Sequence, residues 1–141
     1  MSHTPKKFFE ENIKMNRNKD KGDVGELTAR KYLTSVKNMR ILKNNYHSRY
    51  GEIDIISCTD KYIVFVEVKT RKKESLYRGV EAVDKNKRIK IIKTAMMFLS
   101  ENNIDLQPRF DVVEVTTFKN KESQIIHFEN AFDIGECDEI F

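Results

Sequence analysis

Two short apolar runs that contain acidic residues flank a four-residue turn, and this hairpin is the strongest constraint on how the chain folds. The runs are 51–56 and 63–69, and the turn between them is 58–61. If the chain reverses at Asp60-Lys61, Asp54 lies directly across from Glu67. Opposed side chains in an antiparallel pair have Cβ atoms about 4.5–5.5 Å apart, and like charges there are destabilising. The hairpin therefore predicts a cation beside the two acids.

A cationic side chain is present in the second run. Lys69 follows Glu67 by two residues, so the two-residue period of a strand places it on the same face as both carboxylates. Magnesium takes oxygen ligands and keeps several waters, so one or two carboxylates and a backbone carbonyl can hold it. We therefore predict a Mg²⁺ or Mn²⁺ site with Asp54, Glu67 and the backbone carbonyl of Val68 as ligands.

Phosphodiester hydrolysis is the chemistry that this set would serve. It needs a nucleophilic water, neutralised phosphate oxygens and help for the leaving oxygen, and a hard cation supplies all three. Lys69 would orient or acidify the water, or stabilise negative charge on the phosphate. The residues by themselves leave a second interpretation open, in which Glu67 forms an ion pair with Lys69 or Arg71 at a strand end.

Charge is distributed unevenly along the chain. Residues 1–93 contain 23 basic and 12 acidic side chains, whereas residues 94–141 contain 3 and 10. The acid and lysine pattern thus lies in a half-chain of net charge +11, which suits a polyanionic partner such as nucleic acid. A solvated lysine-rich surface is the alternative. Arg49, Arg71, Lys72, Lys73 and Lys85 are candidates for binding nucleic-acid phosphates.

The bulk properties predict a single cytoplasmic domain. The chain has 141 residues, enough for one core, and no apolar run approaches the roughly 20 residues of a membrane span. Cys58 and Cys137 are too few and too distant for a disulfide framework or a zinc site. We expect a flexible basic arm over 1–21, one domain over 22–132 and an acidic tail over 133–141.

Helical and strand-like patterns alternate through the domain. A helix is predicted from Gly22, with small residues on its packed face and Glu26 beside that face. Asp84 is predicted to cap a second helix. Its apolar stripe is Ile89, Ile92, Met96 and Leu99.

Strands are predicted on either side of the second helix. One at 39–45 precedes the hairpin, and two at 110–115 and 124–128 follow the helix. Arg109 and Asp111 are interpreted as a structural salt bridge, and none of the three histidines is assigned a catalytic role. The order α-β-β-β-α-β-β predicts an α/β fold with a central mixed β-sheet of about five strands flanked by α-helices.

Several short motifs resemble those of a known family. They are Gly25-Glu26-x-x-Ala29, the run Gly51-Glu52-Ile53-Asp54, the run from Val64 to Arg71, Lys85 before Ala95, and Arg109-Phe110-Asp111-Val112-Val113. Together they resemble the YraN-like family of small bacterial proteins. That family is similar to archaeal Holliday junction resolvases of the restriction-endonuclease-like, PD-(D/E)xK nuclease superfamily. Ile53 stands where the motif's name has proline.

The resemblance implies a restriction-endonuclease-like fold and specific site residues. By that similarity Glu26, Asp54, Glu67 and Lys69 fall on catalytic positions, with Glu26 as a helical acid that can assist metal binding. Lys85 is favoured among the phosphate-binding candidates. The implied function is a Mg²⁺-dependent endonuclease acting on DNA, including branched or damaged DNA. Because junction resolvases cut two strands, a homodimer is a further expectation.

Two other classes of function stay open from the sequence. One is a catalytically silent nucleic-acid-binding module of the same fold. The other is a protein-interaction domain in which the acidic C-terminal half docks a basic partner.

Overall fold

Two helices and five strands make up the protein in a computed structural model that describes residues 22–72, 83–119 and 121–135. The proposed N-terminal arm, Lys73, Cys137 and most of the acidic tail lie outside these residues. Among the described residues, no helix combines the length and apolar character needed to cross a bilayer. The elements are α1 (Gly22–Ser35), β1 (Arg40–Ser48), β2 (Gly51–Cys58), β3 (Tyr62–Lys72), α2 (Lys85–Glu101), β4 (Gln107–Phe118) and β5 (Lys121–Phe132).

The five strands form one mixed sheet in the order β1-β2-β3-β4-β5. All neighbours are antiparallel except β3 and β4, which are parallel because α2 carries the chain back across the sheet between them. The predicted α/β fold and the order of its elements are confirmed. This is the architecture that the resemblance to restriction-endonuclease-like proteins implies.

The sheet is covered on both faces, and alternation along β3 separates two cores. Phe65 packs with Ile92 and other residues of α2 on one face. Val64 and Val66 pack with Leu33 of α1 on the other. A strand covered on both faces needs apolar residues at successive positions, which explains the continuous apolar run at the centre of β3.

The predicted register of the central hairpin is confirmed. Ile55 pairs with Val66 and Cys58 with Ile63, so the chain does reverse between Asp60 and Lys61. The paired segment of β2 and β3 ends at Ile55 and Val66. Asp54 and Glu67 therefore occupy the first position beyond the ladder, where the two strands separate.

The second helix begins as predicted, and Ile89, Ile92 and Leu99 of its predicted stripe pack against the core. The side chain of Asp84 accepts a 2.9 Å hydrogen bond from the Lys87 N–H and so caps α2. The buried positions include Ile91 and Phe98, whereas Met96, assigned to the packed stripe, is 42% exposed. The stripe prediction was wrong in this respect because apolar residues lie on two adjacent rows of the helix, and packing against the sheet selects one of them.

Several strands extend beyond their predicted bounds. The parallel pairing of β3 with β4 runs without interruption from Tyr62 opposite Gln107 to Lys72 opposite Thr117. Polar residues at the strand ends are thus held in the ladder by their neighbours' backbone groups, which composition does not reveal.

A hydrogen-bonded network ties α1 to β4 and β5. The predicted salt bridge is present, since Arg109 donates from Nε and Nη2 to Asp111 at 2.9 and 2.8 Å. His127 Nε2 lies 2.7 Å from the same carboxylate, and its Nδ1 lies 3.0 Å from the Tyr32 hydroxyl of α1. Burial by itself would raise the pKa of Asp111, but the hydrogen bonds from His127 and Arg109 hold that pKa below its usual range.

Candidate active site

An acidic pair occupies the point where β2 and β3 separate. Asp54 and Glu67 are 8% and 5% exposed. The Asp54 carboxylate accepts the Val68 N–H at 2.8 Å, so a side chain and not a β2 carbonyl satisfies this donor. Asp54 is thereby held against the backbone of the strand that carries Glu67. Both carboxylates therefore lie where the ladder ends.

The environment of the pair disfavours two negative charges. Burial, reinforced by the nearby carboxylates of Glu67 and Glu26, raises the pKa of Asp54 from 3.8 to about 8, against the opposite influence of the Val68 N–H. The negative charge of Glu26 on α1 contributes to this shift, but less than that of Glu67. The two strand acids therefore form the centre of the site, and Glu26 acts on it electrostatically from α1.

Two ammonium groups approach one oxygen of Glu67. Lys69 Nζ lies 3.4 Å and Lys87 Nζ 2.9 Å from Glu67 Oε2. Lys69 comes from the same face of β3, as the hairpin pattern predicts. Burial, the largest single influence, would lower the pKa of Lys87, but the hydrogen bond to Glu67 and the negative charges of the nearby carboxylates together raise it.

Lys87 is the site residue that sequence reasoning missed. It lies in the first turn of α2, where the sequence offers several basic side chains and no pattern that singles one out. The signal that identifies it is its spacing of four residues before Ile91, which is 2% exposed, and seven before Thr94, which is fully buried. Residues four apart share a helix face, so Lys87 continues the buried row of α2 toward the sheet.

A glycine allows α1 to bring Glu26 to the site. A Cβ built on Gly25 would lie 1.9 Å from Thr70 Oγ1 of β3. Only a residue without a side chain permits this approach. The helix face thus packs directly on the strand that carries Glu67 and Lys69, as the small residues in α1 predict.

The candidates for binding phosphates lie in different environments. Arg49 is exposed in the β1–β2 turn, Lys72 is exposed at the end of β3, and Lys85 is exposed in the first turn of α2. Arg71 instead forms a short buried ion pair with Glu114 of β4, with side chains 12% and 3% exposed. Its charge is therefore used inside the fold.

The donor set suits a hard cation that keeps part of its water shell. Within 22–72, 83–119 and 121–135, no three His, Cys, Asp or Glu side chains are grouped closely enough to hold a metal ion by themselves. Metal binding here would rest on the Asp54 and Glu67 carboxylates, the Val68 carbonyl and water. Mg²⁺ is commonly held by one or two carboxylates while it retains several waters.

Fold and site together define an α/β protein with a buried acidic pair, flanked by two lysines, at the separation of two central strands. The chain belongs to the family described as Uncharacterised protein family UPF0102, whose model matches residues 25–115. The resemblance to the YraN-like family is thereby confirmed.

Relatives from several bacteria match over most of their length. A UPF0102 protein of Sulfurihydrogenibium sp. is 48% identical over 115 residues, covering 81% of this chain and 95% of its own. A UPF0102 protein of Clostridioides difficile is 45% identical over 116 residues, covering 82% and 98%. One from Caldanaerobacter subterraneus is 42% identical over 114 residues, covering 79% and 93%. The chain thus shares its domain with full-length members of the family.

Proposed function

We propose that the protein is a Mg²⁺- or Mn²⁺-dependent nuclease that hydrolyses phosphodiesters in DNA, including branched DNA. The observation that carries this proposal is the convergence of Asp54, Glu67 and Lys69 at the end of the β2–β3 ladder. Two buried carboxylates within electrostatic range of each other are unfavourable without cationic compensation. Lys69 and Lys87 both lie beside Glu67. The environment of Asp54 therefore still disfavours a negative charge on its carboxyl.

Each residue has a role that follows from its position. Asp54 and Glu67 present carboxylate oxygens, and Val68 presents its backbone carbonyl, as ligands. Glu26 of α1 adds negative charge near the pair, which favours a bound cation. When bound, Mg²⁺ would neutralise phosphate charge and promote ionisation of a water. Lys69 stabilises negative charge on the phosphate or orients the attacking water, and Lys87 adds a second ammonium at the same carboxylate.

The substrate assignment rests on charge and on the family resemblance. The basic half of the chain, residues 1–93, supplies all the acids and lysines of the site. A basic surface around a carboxylate site overcomes the repulsion between those carboxylates and a polyanion. Branched DNA is the substrate class implied by similarity to junction resolvases.

The test combines cleavage with direct metal binding. Labelled branched, duplex and single-stranded DNA, with matched RNA, are incubated with protein and Mg²⁺ or Mn²⁺. Mn²⁺ binding is measured separately by calorimetry. We expect Asp54→Asn to weaken Mn²⁺ binding and to reduce cleavage at least 100-fold, the scale on which loss of a preorganised charged group reduces rates. Glu67→Gln should act similarly, whereas Lys69→Met should reduce cleavage and leave Mn²⁺ bound.

Glu52→Gln is the matched control. Glu52 precedes Asp54 by two residues on β2, but its side chain is 58% exposed and lies 3.3 Å from His47 Nδ1. The control should bind Mn²⁺ and cleave like the unsubstituted chain. Absence of Mn²⁺ binding by the intact protein, with no cleavage of any of these substrates, would refute the proposal.

A nucleic-acid-binding module without catalysis is the second candidate. It is favoured by the two ammonium groups at Glu67 Oε2, because they supply counter-charge to that carboxylate without a metal. It predicts salt-sensitive DNA binding that is unchanged by Glu67→Ala. Cleavage that depends on Glu67 would exclude it.

A further inference from the structure

The turn between β1 and β2 packs against the middle of α2. Ser48 Oγ lies 2.9 Å from Thr94 Oγ1, and the Tyr50 N–H donates to Ser48 Oγ at 3.1 Å. A Cβ added to Gly51 would be 3.4 Å from Lys90 Cβ. The turn and this part of the helix therefore form one continuous surface.

A row of lysines leads along that surface from the acidic site. Lys87, Lys90 and Lys93 recur every third residue, which separates them by about 4.5 Å along the helix axis and spreads the row over about 9 Å. Lys87 contacts Glu67 at one end. At the other end Lys93 Nζ lies 5.4 Å from the centre of the Tyr50 ring, and the Arg49 guanidinium carbon lies 5.0 Å from it. We call Arg49, Tyr50, Lys90 and Lys93 the turn–helix stripe.

The charge of the stripe is not balanced within the described part of the chain. Among the described residues, no carboxylate lies within salt-bridge distance of Arg49, Lys90 or Lys93, whereas Lys37 on α1's C-terminal side pairs with Glu129 at 2.9 Å. Arg49 and Lys90 are exposed, and Lys93 is half-buried. Cations gathered without counter-charge create a positive potential that attracts an anion.

The dimensions and chemistry of the stripe fit a nucleic-acid strand. One strand of a duplex advances about 3.4 Å per phosphate along its axis, so a 9 Å row spans about three phosphates. The Tyr50 ring gives the stripe an aromatic surface of the kind on which bases stack in single-strand-binding proteins. Because Lys87 joins the row to Glu67, a strand on the stripe continues directly into the acidic site.

We propose that the turn–helix stripe binds the phosphate backbone of the nucleic-acid strand whose reacting phosphodiester lies at Asp54 and Glu67. The path of the strand rests on the proposed nuclease function, but binding to the stripe is measurable without cleavage. Lys90 and Lys93 contact successive phosphates, Arg49 contacts a more distant one, and Tyr50 packs on a base or sugar. An acidic protein segment is the competing occupant.

The experiment measures binding of fluorescent single-stranded and branched DNA in chelator, between about 50 and 200 mM salt. For Lys90→Gln with Lys93→Gln, we expect weaker binding and a salt slope of log K that is smaller by about 1.4–1.8, because each lost phosphate contact removes about 0.7–0.9. Tyr50→Leu should weaken single-strand binding roughly 5- to 100-fold. Tyr50→Phe retains the ring and should bind like the unsubstituted chain.

A double substitution elsewhere separates the stripe from general loss of charge. Lys43→Gln with Lys61→Gln removes two exposed lysines, one on β1 and one in the β2–β3 turn. This control should change the slope by much less than the stripe variant. Thermal unfolding of all variants verifies that they fold alike.

The outcomes distinguish this inference from the proposed function. Equal slopes for the stripe variant and the control would overturn the inference, as would tighter binding of polyglutamate than of DNA. If stripe substitutions reduce binding but no DNA is cleaved with Mn²⁺, the stripe stands and the nuclease proposal fails. If the protein cleaves DNA and the stripe variant binds normally, only the inference fails. Absence of any nucleic-acid binding at low salt would remove both.

Discussion

Replacement of Gly25 by alanine tests whether the close approach of α1 to β3 positions the site. The added Cβ would lie 1.9 Å from Thr70 Oγ1, 3.1 Å from Thr70 Cβ and 3.3 Å from Thr70 Cγ2. Ordinary contact begins near 3.4 Å, so α1 must retreat by as much as about 1.5 Å if the Thr70 hydroxyl stays in place. If the hydroxyl rotates away, a shift of a few tenths of an ångström is still required.

The energetic effect is the difference between two opposing contributions. Overpacking of this kind destabilises by about 1–3 kcal/mol, whereas alanine stabilises a helix interior by about 0.8–1.0 kcal/mol relative to glycine. We therefore expect Gly25→Ala to lower the free energy of unfolding by about 0–2 kcal/mol. The associated displacement of Glu26 should reduce cleavage about 100-fold, the scale associated with a 1 Å misplacement.

A double-mutant cycle with Thr70→Ala isolates the contact. Thr70 is exposed, so this substitution alone should change stability by about 0.5 kcal/mol or less. In the double variant it should restore about 1–2 kcal/mol of stability and much of the cleavage, because it removes Oγ1 and Cγ2. Urea denaturation measures the coupling, and Ser35→Ala reports the effect of alanine at an exposed position of α1. A coupling energy near zero would refute the packing argument.

Two further predictions concern the buried charges that support the sheet. Asp111→Asn should destabilise the protein at neutral pH. It should also make the free energy of unfolding depend less steeply on pH between about pH 2 and 6, as measured by urea denaturation. Because folding lowers the pKa of Asp111, its ionised carboxylate stabilises the folded protein above its ordinary pKa of 3.8, and this stabilisation is lost as the pH falls through the folded-state pKa. If the free energy of unfolding fell equally steeply with decreasing pH in both proteins, this prediction would be contradicted. Arg71→Met should lower the free energy of unfolding by about 3–5 kcal/mol, because it removes a buried partner of Glu114. Combining Arg71→Met with Glu114→Met should recover part of that loss of stability. If Arg71→Met instead left stability unchanged and only weakened DNA binding, Arg71 would be shown to act at the surface.

Local sequence pattern accounts for much of the fold. The hairpin register follows from the position of one turn, because each residue pair on either side is then determined by the chain itself. The cap at Asp84 follows from a single side chain and the N–H three residues later. Patterns of this kind were sufficient to place Asp54, Glu67 and Lys69 together.

The orientation of α2 required the tertiary structure. Apolar residues on two adjacent rows allowed two rotations of the helix, and the sheet selects the one that buries Ile91 and exposes Met96. That rotation also decides that Lys87 reaches Glu67. The same packing decides that Arg71 pairs with Glu114 inside the fold, a choice that its place in a basic run did not indicate.

By itself, the sequence determined the order of elements, the central hairpin and the acid and lysine pattern, because these depend on neighbours along the chain and on the two-residue period of a strand. Only the tertiary structure decided which helix faces meet the sheet, how closely Gly25 approaches Thr70, and which lysines gather between the acidic site and the β1–β2 turn. Those features arise from contacts between residues far apart in sequence, where shape and charge are matched only after the layers pack.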